Sequence, residues 1–152
     1  MRHPTLIAAL LFGLTACGGD KTPTGTTTGL AHGSMSAKIN GAAWSASAGL
    51  SAVFSSPNIV AVAGSDGAGR TLGFGLVATG PGTYAVGGLS GTNATYSEGS
   101  ISYSAALNVG SGSVVVTSLS STAAAGTFSF TVVQTGGTAT KTITEGSFNV
   151  KF

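Results

Sequence analysis

From Met35 onward, apolar side chains recur at every second position in short runs that Gly, Asn and Pro interrupt. In residues 71–78, for example, Leu72, Phe74 and Leu76 fall on one face. A period of two is that of a half-buried β-strand, whereas an amphipathic helix requires a period near 3.6 residues. No stretch of this part of the chain keeps the helical period. The pattern therefore predicts an all-β protein.

Turn residues divide the alternating segments and predict how they connect. Asn40-Gly41 lies between residues 36–39 and 42–46, which is the sequence pattern of a two-residue type I′ hairpin. Most other links are short as well, and short links join antiparallel neighbours because parallel strands need a long crossover. We expect about ten antiparallel strands, mostly a meander, that form either a flattened barrel or a β-sandwich. Residues 101–107 are one such strand, with Ile101, Tyr103, Ala105 and Leu107 on one face.

The first residues have the order of an export signal. Arg2 gives a positive start, and residues 6–14 form an apolar run that is too short to span a bilayer. Leu14, Thr15 and Ala16 then precede Cys17, and this sequence resembles the bacterial lipobox. The resemblance implies cleavage between Ala16 and Cys17 and a lipid on the Cys17 sulfur. An ordinary secretory signal or a buried thiol is the alternative interpretation.

Lipidation also accounts for the single cysteine. Cys17 has no partner for an intramolecular disulfide, and a diacylglyceryl group with an N-acyl chain gives stable membrane anchoring. We therefore expect a signal peptide at residues 1–16, a lipidated tether at 17–34 and a single all-β domain at 35–152. Gly rather than Asp follows Cys17, which favours the outer membrane under the enterobacterial sorting rule, with the domain facing the periplasm or the exterior.

The charge pattern argues against nucleic-acid binding. After loss of the signal peptide, five basic and four acidic residues remain, which gives a formal charge of +1 (5 − 4). No two basic residues are adjacent, so the sequence offers no cluster for a phosphate backbone.

Six short segments resemble a family of uncharacterised bacterial lipoproteins that contain one all-β domain of unknown function. The likeness extends over residues 35–152 and implies the fold and the anchor alone, since this family has no assigned activity. The segments that support it are residues 37–41 with Trp44, 64–67, 82–84, 112–116, 126–130 and 145–150.

Residues that could support catalysis or metal binding are few. His32 is the single histidine after the signal peptide, and Asp66, Glu98 and Glu145 are isolated in the sequence, so we expect no metal site and no cofactor. No Gly-x-Ser-x-Gly motif occurs at a strand-to-helix turn, and residues 64–69 read as a hairpin loop rather than a phosphate cradle because no helix follows.

The sequence therefore predicts a protein that is not an enzyme. A hydrolase would need at least two charged side chains to converge in one concavity, and a glycosidase would need Glu98 and Glu145 about 5–9 Å apart. The charged residues that an enzyme could recruit are Asp66, Arg70, Glu98, Lys141 and Glu145.

Three aromatic residues are candidates for facing a ligand: Trp44, Tyr84 and Tyr103. Packing in the core with the polar tip at the rim is the competing interpretation, and it is the usual role of Tyr and Trp. We expect a membrane-anchored, non-catalytic domain that binds an envelope protein, a glycan or a small apolar ligand. A purely structural or assembly role is the alternative, and an envelope hydrolase is a second one.

Overall fold

A computed structural model describes residues 33–152 of the chain. The predicted signal peptide, the lipobox, Cys17 and the tether up to His32 lie outside the described residues. Within them the chain forms antiparallel strands and no helix, which confirms the all-β prediction. The strands are β1 (Gly33–Ile39), β2 (Ala42–Ser45), β3 (Gly49–Ser55), β4 (Ile59–Ser65), β5 (Arg70–Val77), β6 (Gly82–Gly87), β7 (Asn93–Glu98), β8 (Ile101–Ala105), β9 (Ser111–Leu119), β10 (Ala123–Gln134) and β11 (Thr140–Lys151).

The Asn-Gly hairpin forms where the sequence predicts it. Asn40 and Gly41 have φ angles of 48° and 83°, and the two-residue turn joins β1 to β2. Left-handed backbone at both positions is the geometry of a type I′ turn, which matches the twist of the flanking strands. The local sequence therefore sets the register that pairs Ala37 with Trp44.

The strands form one curled sheet in the order β2-β1-β11-β10-β8-β7-β5-β4-β3. Six of the ten strand pairings join consecutive strands, and the others are β1–β11, β5–β7, β6–β9 and β8–β10. β10 is long enough to pair with β9 and then with β8 along one edge, so the sheet divides there and β6 joins it through β9. The result is a half-barrel with a mostly meandering strand order.

The concave side of the sheet contains a continuous apolar core. Phe74 on β5 lies at its centre, with its ring centroid 5.4 Å from that of Phe128 on β10 and 5.1 Å from that of Phe148 on β11. These contacts join the two halves of the sheet, and aromatic pairs at this spacing add to the stabilisation from burial alone. The alternating residues of the sequence pattern therefore face one another across the half-barrel.

A short link between β2 and β3 connects the two sides of the half-barrel. The Ala46 N–H donates to the Met35 carbonyl on β1 at 2.9 Å, and the Ala48 N–H donates to the Ser65 carbonyl at the end of β4 at 2.9 Å. Gly64 lies beneath this link, where an added Cβ would come within 2.5 Å of the Ala46 Cβ. The absence of a side chain at Gly64 therefore allows the link to pack against β4.

One part of the predicted strand at residues 101–107 is wrong. β8 ends at Ala105, and the Ala106 N–H donates to the Val109 carbonyl at 2.8 Å in a tight turn. The turn breaks the period of two, so the Leu107 side chain is 63% exposed instead of facing the core. Ile101, at the opposite end of β8, is 44% exposed and follows the short link that joins β7 to β8.

A local irregularity adjusts the alternation within β11. Glu145 has a φ angle of 50°, and the register of β11 shifts against both β1 and β10 near this residue. The shift is a β-bulge, which re-aims the side chains that follow it. Gly146 consequently faces inward against the Phe128 ring, and Phe148 returns to the core.

Candidate functional site

The loop between β4 and β5 is organised by one carboxylate. Asp66 Oδ1 accepts hydrogen bonds from the Ala68 N–H at 2.9 Å and the Arg70 N–H at 3.1 Å, and Oδ2 accepts one from Arg70 Nε. The Ser47 hydroxyl donates to the Asp66 carbonyl at 3.0 Å, which fixes the loop to the link between β2 and β3. Residues 64–69 therefore belong to a hairpin with a fixed backbone.

A pocket of about 300 Å³ lies beside this loop. Its lining combines the tip of β2, the link to β3 and the Asp66 loop, and it consists of Ala43, Trp44, Ser45, Ser47, Asp66, Ala68 and Arg70. The sequence separates these residues into two groups, and the folded link brings them together. This pocket is the candidate binding site.

Trp44 is the unusual residue of the pocket. Its side chain is 3% exposed, and among the described residues its indole N–H is the one buried side-chain donor without a hydrogen-bond partner. A buried donor that lacks an acceptor costs about 1–3 kcal/mol, and such groups are rare in folded proteins. The nitrogen itself has no exposed surface, so an acceptor from outside the domain would remove that cost only after the side chains that cover it move.

Electrostatics keep Asp66 ionised. Partial burial of the carboxyl opposes ionisation, but the Ala68 N–H, the Arg70 side chain and the Arg70 N–H outweigh it and lower the pKa of Asp66 from its ordinary 3.8. Arg70 therefore has a counter-charge at neutral pH, and the two charged side chains of the pocket sum to zero. A neutral ligand suits such a pocket better than an anion does.

A second ion pair lies near the same end of the half-barrel. Lys141 Nζ is 2.8 Å from Glu98 Oε2 and 5.6 Å from the centroid of the Tyr103 ring. The hydrogen bond from Lys141 lowers the pKa of Glu98, and the hydrogen bond to Glu98 raises the pKa of Lys141. Burial raises the pKa of Tyr96, whose ring centroid is 5.8 Å from that of Tyr103.

The five charged residues that an enzyme could recruit belong to three ion pairs, two of which lie on neighbouring strands. Asp66 binds Arg70, and Glu98 binds Lys141, while Arg70 and Glu98 are neighbours in the register of β5 and β7. Glu145 binds Lys38 at 2.8 Å, and both side chains of that pair are exposed. Among residues 33–152, no group of three or more His, Cys, Asp or Glu side chains is arranged to hold a metal ion.

A family model described as a domain of unknown function (DUF6252) matches residues 31–150. The chain belongs to this family. No curated protein and no solved structure matches the chain. The match agrees with the resemblance drawn from the sequence as far as one all-β domain of unknown function is concerned. In the described part of this DUF6252 chain, no helix is long and apolar enough to cross a membrane.

The three aromatic candidates lie on three strands of the DUF6252 domain that do not pair with one another. Trp44 on β2 is buried and lines the pocket, and Tyr103 on β8 is buried against Tyr96. Tyr84 on β6 is half-buried, and its hydroxyl donates to the Gly80 carbonyl at 2.6 Å. Of the three, Trp44 is the one that the candidate pocket contains.

Sequence reasoning missed the partnership between Trp44, Ser47 and the Asp66 loop. One signal was available, because an Asp followed at the fourth position by Arg across two glycines is typical of a self-bonded loop. The other half of the pocket depends on the path of the link between β2 and β3, which has no sequence signature.

We expect acid to destabilise this domain. Asp66 and Glu98 have lower pKa values in the folded state than their ordinary 3.8 and 4.5, so near those pH values the unfolded chain binds more protons than the folded one. The free energy of unfolding therefore rises with pH in this range. It decreases as the pH falls from the ordinary pKa values of the two carboxyl groups toward their lower pKa values in the folded state. The thermal midpoint measured by circular dichroism should be lower at pH 3 than at pH 7. Two results would contradict this assignment. One is a thermal midpoint that does not change between pH 7 and pH 3. The other is a double variant, Asp66→Asn with Glu98→Gln, whose midpoint falls in acid by as much as that of the parent.

Proposed function

We propose that this chain is a lipid-anchored exported protein whose β-domain is a non-catalytic binding module of the cell envelope, with the pocket at Trp44 as its binding site. The anchor rests on the order of a positive start, an apolar run and the Leu14, Thr15, Ala16, Cys17 sequence. The binding role rests on one observation, the buried indole N–H of Trp44 that has no acceptor within the described residues.

The chemistry of the pocket indicates what it would bind. The Asp66 carboxylate is already engaged by Arg70 and two backbone N–H groups, so the group that lacks a partner is a donor. A ligand that supplies a carbonyl oxygen would satisfy that donor once the side chains that cover the nitrogen move aside. Since the charges of the pocket cancel, we expect an uncharged ligand. Since two serines line the pocket, we expect that ligand to be polar.

Among envelope molecules, an uncharged glycan with acetamido groups meets these conditions. The acetamido carbonyl is a strong acceptor, and the sugar hydroxyls suit the Ser45 and Ser47 side chains. A ligand that lacks this acceptor would leave the Trp44 N–H unsatisfied in the complex. Such a ligand would bind much more weakly. Recognition would therefore depend on the acetamido group rather than on the sugar ring.

The test compares two trisaccharides that differ in that group. We expect the full-length mature protein to bind tri-N-acetylchitotriose in isothermal titration calorimetry and to bind cellotriose at least tenfold more weakly. Trp44→Phe should lose this preference while the domain stays folded, because the change removes the five-membered ring with its unpaired donor and keeps a six-membered aromatic ring in the core. Tyr84→Phe is the matched control, since it alters an aromatic hydroxyl outside the pocket and should bind as the parent does.

Two results would remove the pocket from the proposal. One is equal affinity for the two trisaccharides, and the other is an unchanged preference in Trp44→Phe. Absence of binding to both sugars would likewise exclude acetamido glycans as the ligand class, while the anchor would be judged separately from the mass of the mature protein.

A further inference from the structure

Two adjacent loops hold three large aliphatic side chains in solvent. Leu89 is 87% exposed, Leu107 is 63% exposed and Val109 is 39% exposed. Leu89 follows β6, and the other two lie between β8 and β9. We call these three side chains the aliphatic tip. Soluble proteins expose single aliphatic residues commonly, but a group of them on neighbouring loops marks a contact surface.

The loops are held together by their backbones. The Asn108 N–H donates to the Gly88 carbonyl at 2.7 Å, and Gly88 and Leu107 form an isolated parallel bridge. Asn108 and Gly88 both have left-handed φ angles, of 61° and 59°. Because hydrogen bonds rather than side-chain packing set this geometry, the aliphatic tip is fixed in the exposed position.

The two chain segments that contain the aliphatic tip have no charged residue. Residues 71–97 and 99–140 have no Asp, Glu, Lys or Arg. Contact with an apolar medium would therefore require no desolvation of an ion within these segments, which is the large cost of such a transfer.

We propose that the aliphatic tip inserts into the surface of the bilayer that holds the lipidated Cys17. This inference rests on the proposed anchor. A protein partner would need about 800 Å² of complementary surface on each side, and three side chains fall far short of that area. A bilayer needs no shape complementarity. The anchor also keeps the domain at high effective concentration near the membrane, so a weak contact is sufficient.

The length of chain between the anchor and β1 allows this orientation. Residues 18–32 lie between Cys17 and Gly33, where β1 begins. At 3.3–3.6 Å per residue, a fully extended chain of this length spans at most about 50 Å. The tether can therefore reach any face of a small domain, and the aliphatic tip decides which face meets the lipid.

The experiment places an environment-sensitive fluorophore at the tip. The mature lipidated protein with Leu89→Cys is labelled with a nitrobenzoxadiazole and reconstituted into phosphatidylethanolamine–phosphatidylglycerol vesicles, with or without a nitroxide-labelled lipid. The introduced cysteine is the one free thiol, because acylation occupies the Cys17 sulfur. We expect blue-shifted emission and at least twofold quenching by the nitroxide lipid. The same label at the exposed Ser51→Cys on β3 should show neither effect.

A second pair of variants tests the neighbouring side chains. Leu107→Ser in the labelled background should reduce the quenching by at least half, whereas Ile101→Ser should leave it unchanged. Ile101 is the matched control because it is an aliphatic residue that is 44% exposed and lies at the other end of β8 from Leu107.

Three results would overturn the proposal, and they can be told apart. Acylated protein that floats with the vesicles and yet gives a water-like emission at position 89 retains the anchor and excludes insertion of the tip. A blue shift without lipid quenching assigns the tip to a protein contact, including a second copy of the chain. Protein whose mass lacks acyl chains and which does not float refutes the anchor itself, and the tip proposal fails with it.

Discussion

Gly126→Ala is expected to destabilise the domain by about 3 kcal/mol, the upper end of the usual range for overpacked cores. A Cβ at this position would lie 2.0 Å from the Val115 carbonyl oxygen and 2.8 Å from the Phe148 ring. The carbonyl belongs to the backbone of β9, so it cannot retreat without breaking the pairing of β9 with β10. A domain of this size has a total stability of about 5–15 kcal/mol. The variant therefore loses a large part of it.

Urea denaturation followed by tryptophan fluorescence measures this loss, since Trp44 is the single tryptophan. Gly49→Ala is the control, because nothing lies within 4 Å of an added Cβ there and its φ angle is ordinary. Its midpoint should match that of the parent protein. Equal midpoints for the Gly126 and Gly49 variants would show that β9 and β10 tolerate separation, contrary to the packing described above.

The sequence predicts local pairing well because local pairing has local causes. The Asn40-Gly41 turn fixes β1 against β2, and the alternation of Leu72, Phe74 and Leu76 fixes which face of β5 is buried. These features depend on turn chemistry and side-chain period, which neighbouring residues determine alone.

Long-range pairing could not be predicted in the same way. β5 pairs with β7 rather than with β6, and β6 instead pairs with β9. Both choices depend on the division of the sheet along β10, where β9 and β8 share one edge. A strand that pairs with the next strand in the chain and a strand that pairs with a distant one have the same hydrophobic period and similar link lengths. Neither signal therefore distinguishes them.

The exposed position of Leu107 has the same origin. Leu107 lies two residues after Ala105 and so continues the alternation of β8. The strand ends at Ala105, however, because β8 pairs with one part of β10 and the chain must turn before it pairs with another part of β10 as β9. The pocket at Trp44 likewise depends on where the link between β2 and β3 passes β4. Tertiary geometry therefore decides both candidate surfaces, and the sequence contributes the residues without their arrangement.

Cys17→Ser is expected to move the protein from the membrane fraction to an unanchored or unprocessed form. The Cys17 sulfur is the proposed acceptor of the diacylglyceryl group, and a hydroxyl does not replace a thiolate nucleophile in that transfer. Each buried methylene contributes about 0.8 kcal/mol to membrane affinity, so loss of the acyl chains removes essentially all of the anchoring. The aliphatic tip alone buries too little surface to compensate.

Fractionation of the native host with intact-mass analysis measures this outcome. The parent should show the mass of a chain that begins at Cys17 with three acyl chains, and Gly19→Ala, a small change two residues from the modified sulfur, should show the same modification. The serine variant should have no acyl mass and should leave the membrane on washing, or keep residues 1–16 as an uncleaved precursor. A serine variant that remains membrane-bound at the mature size would refute the anchor, because nothing else in the proposal attaches the chain so firmly to a bilayer.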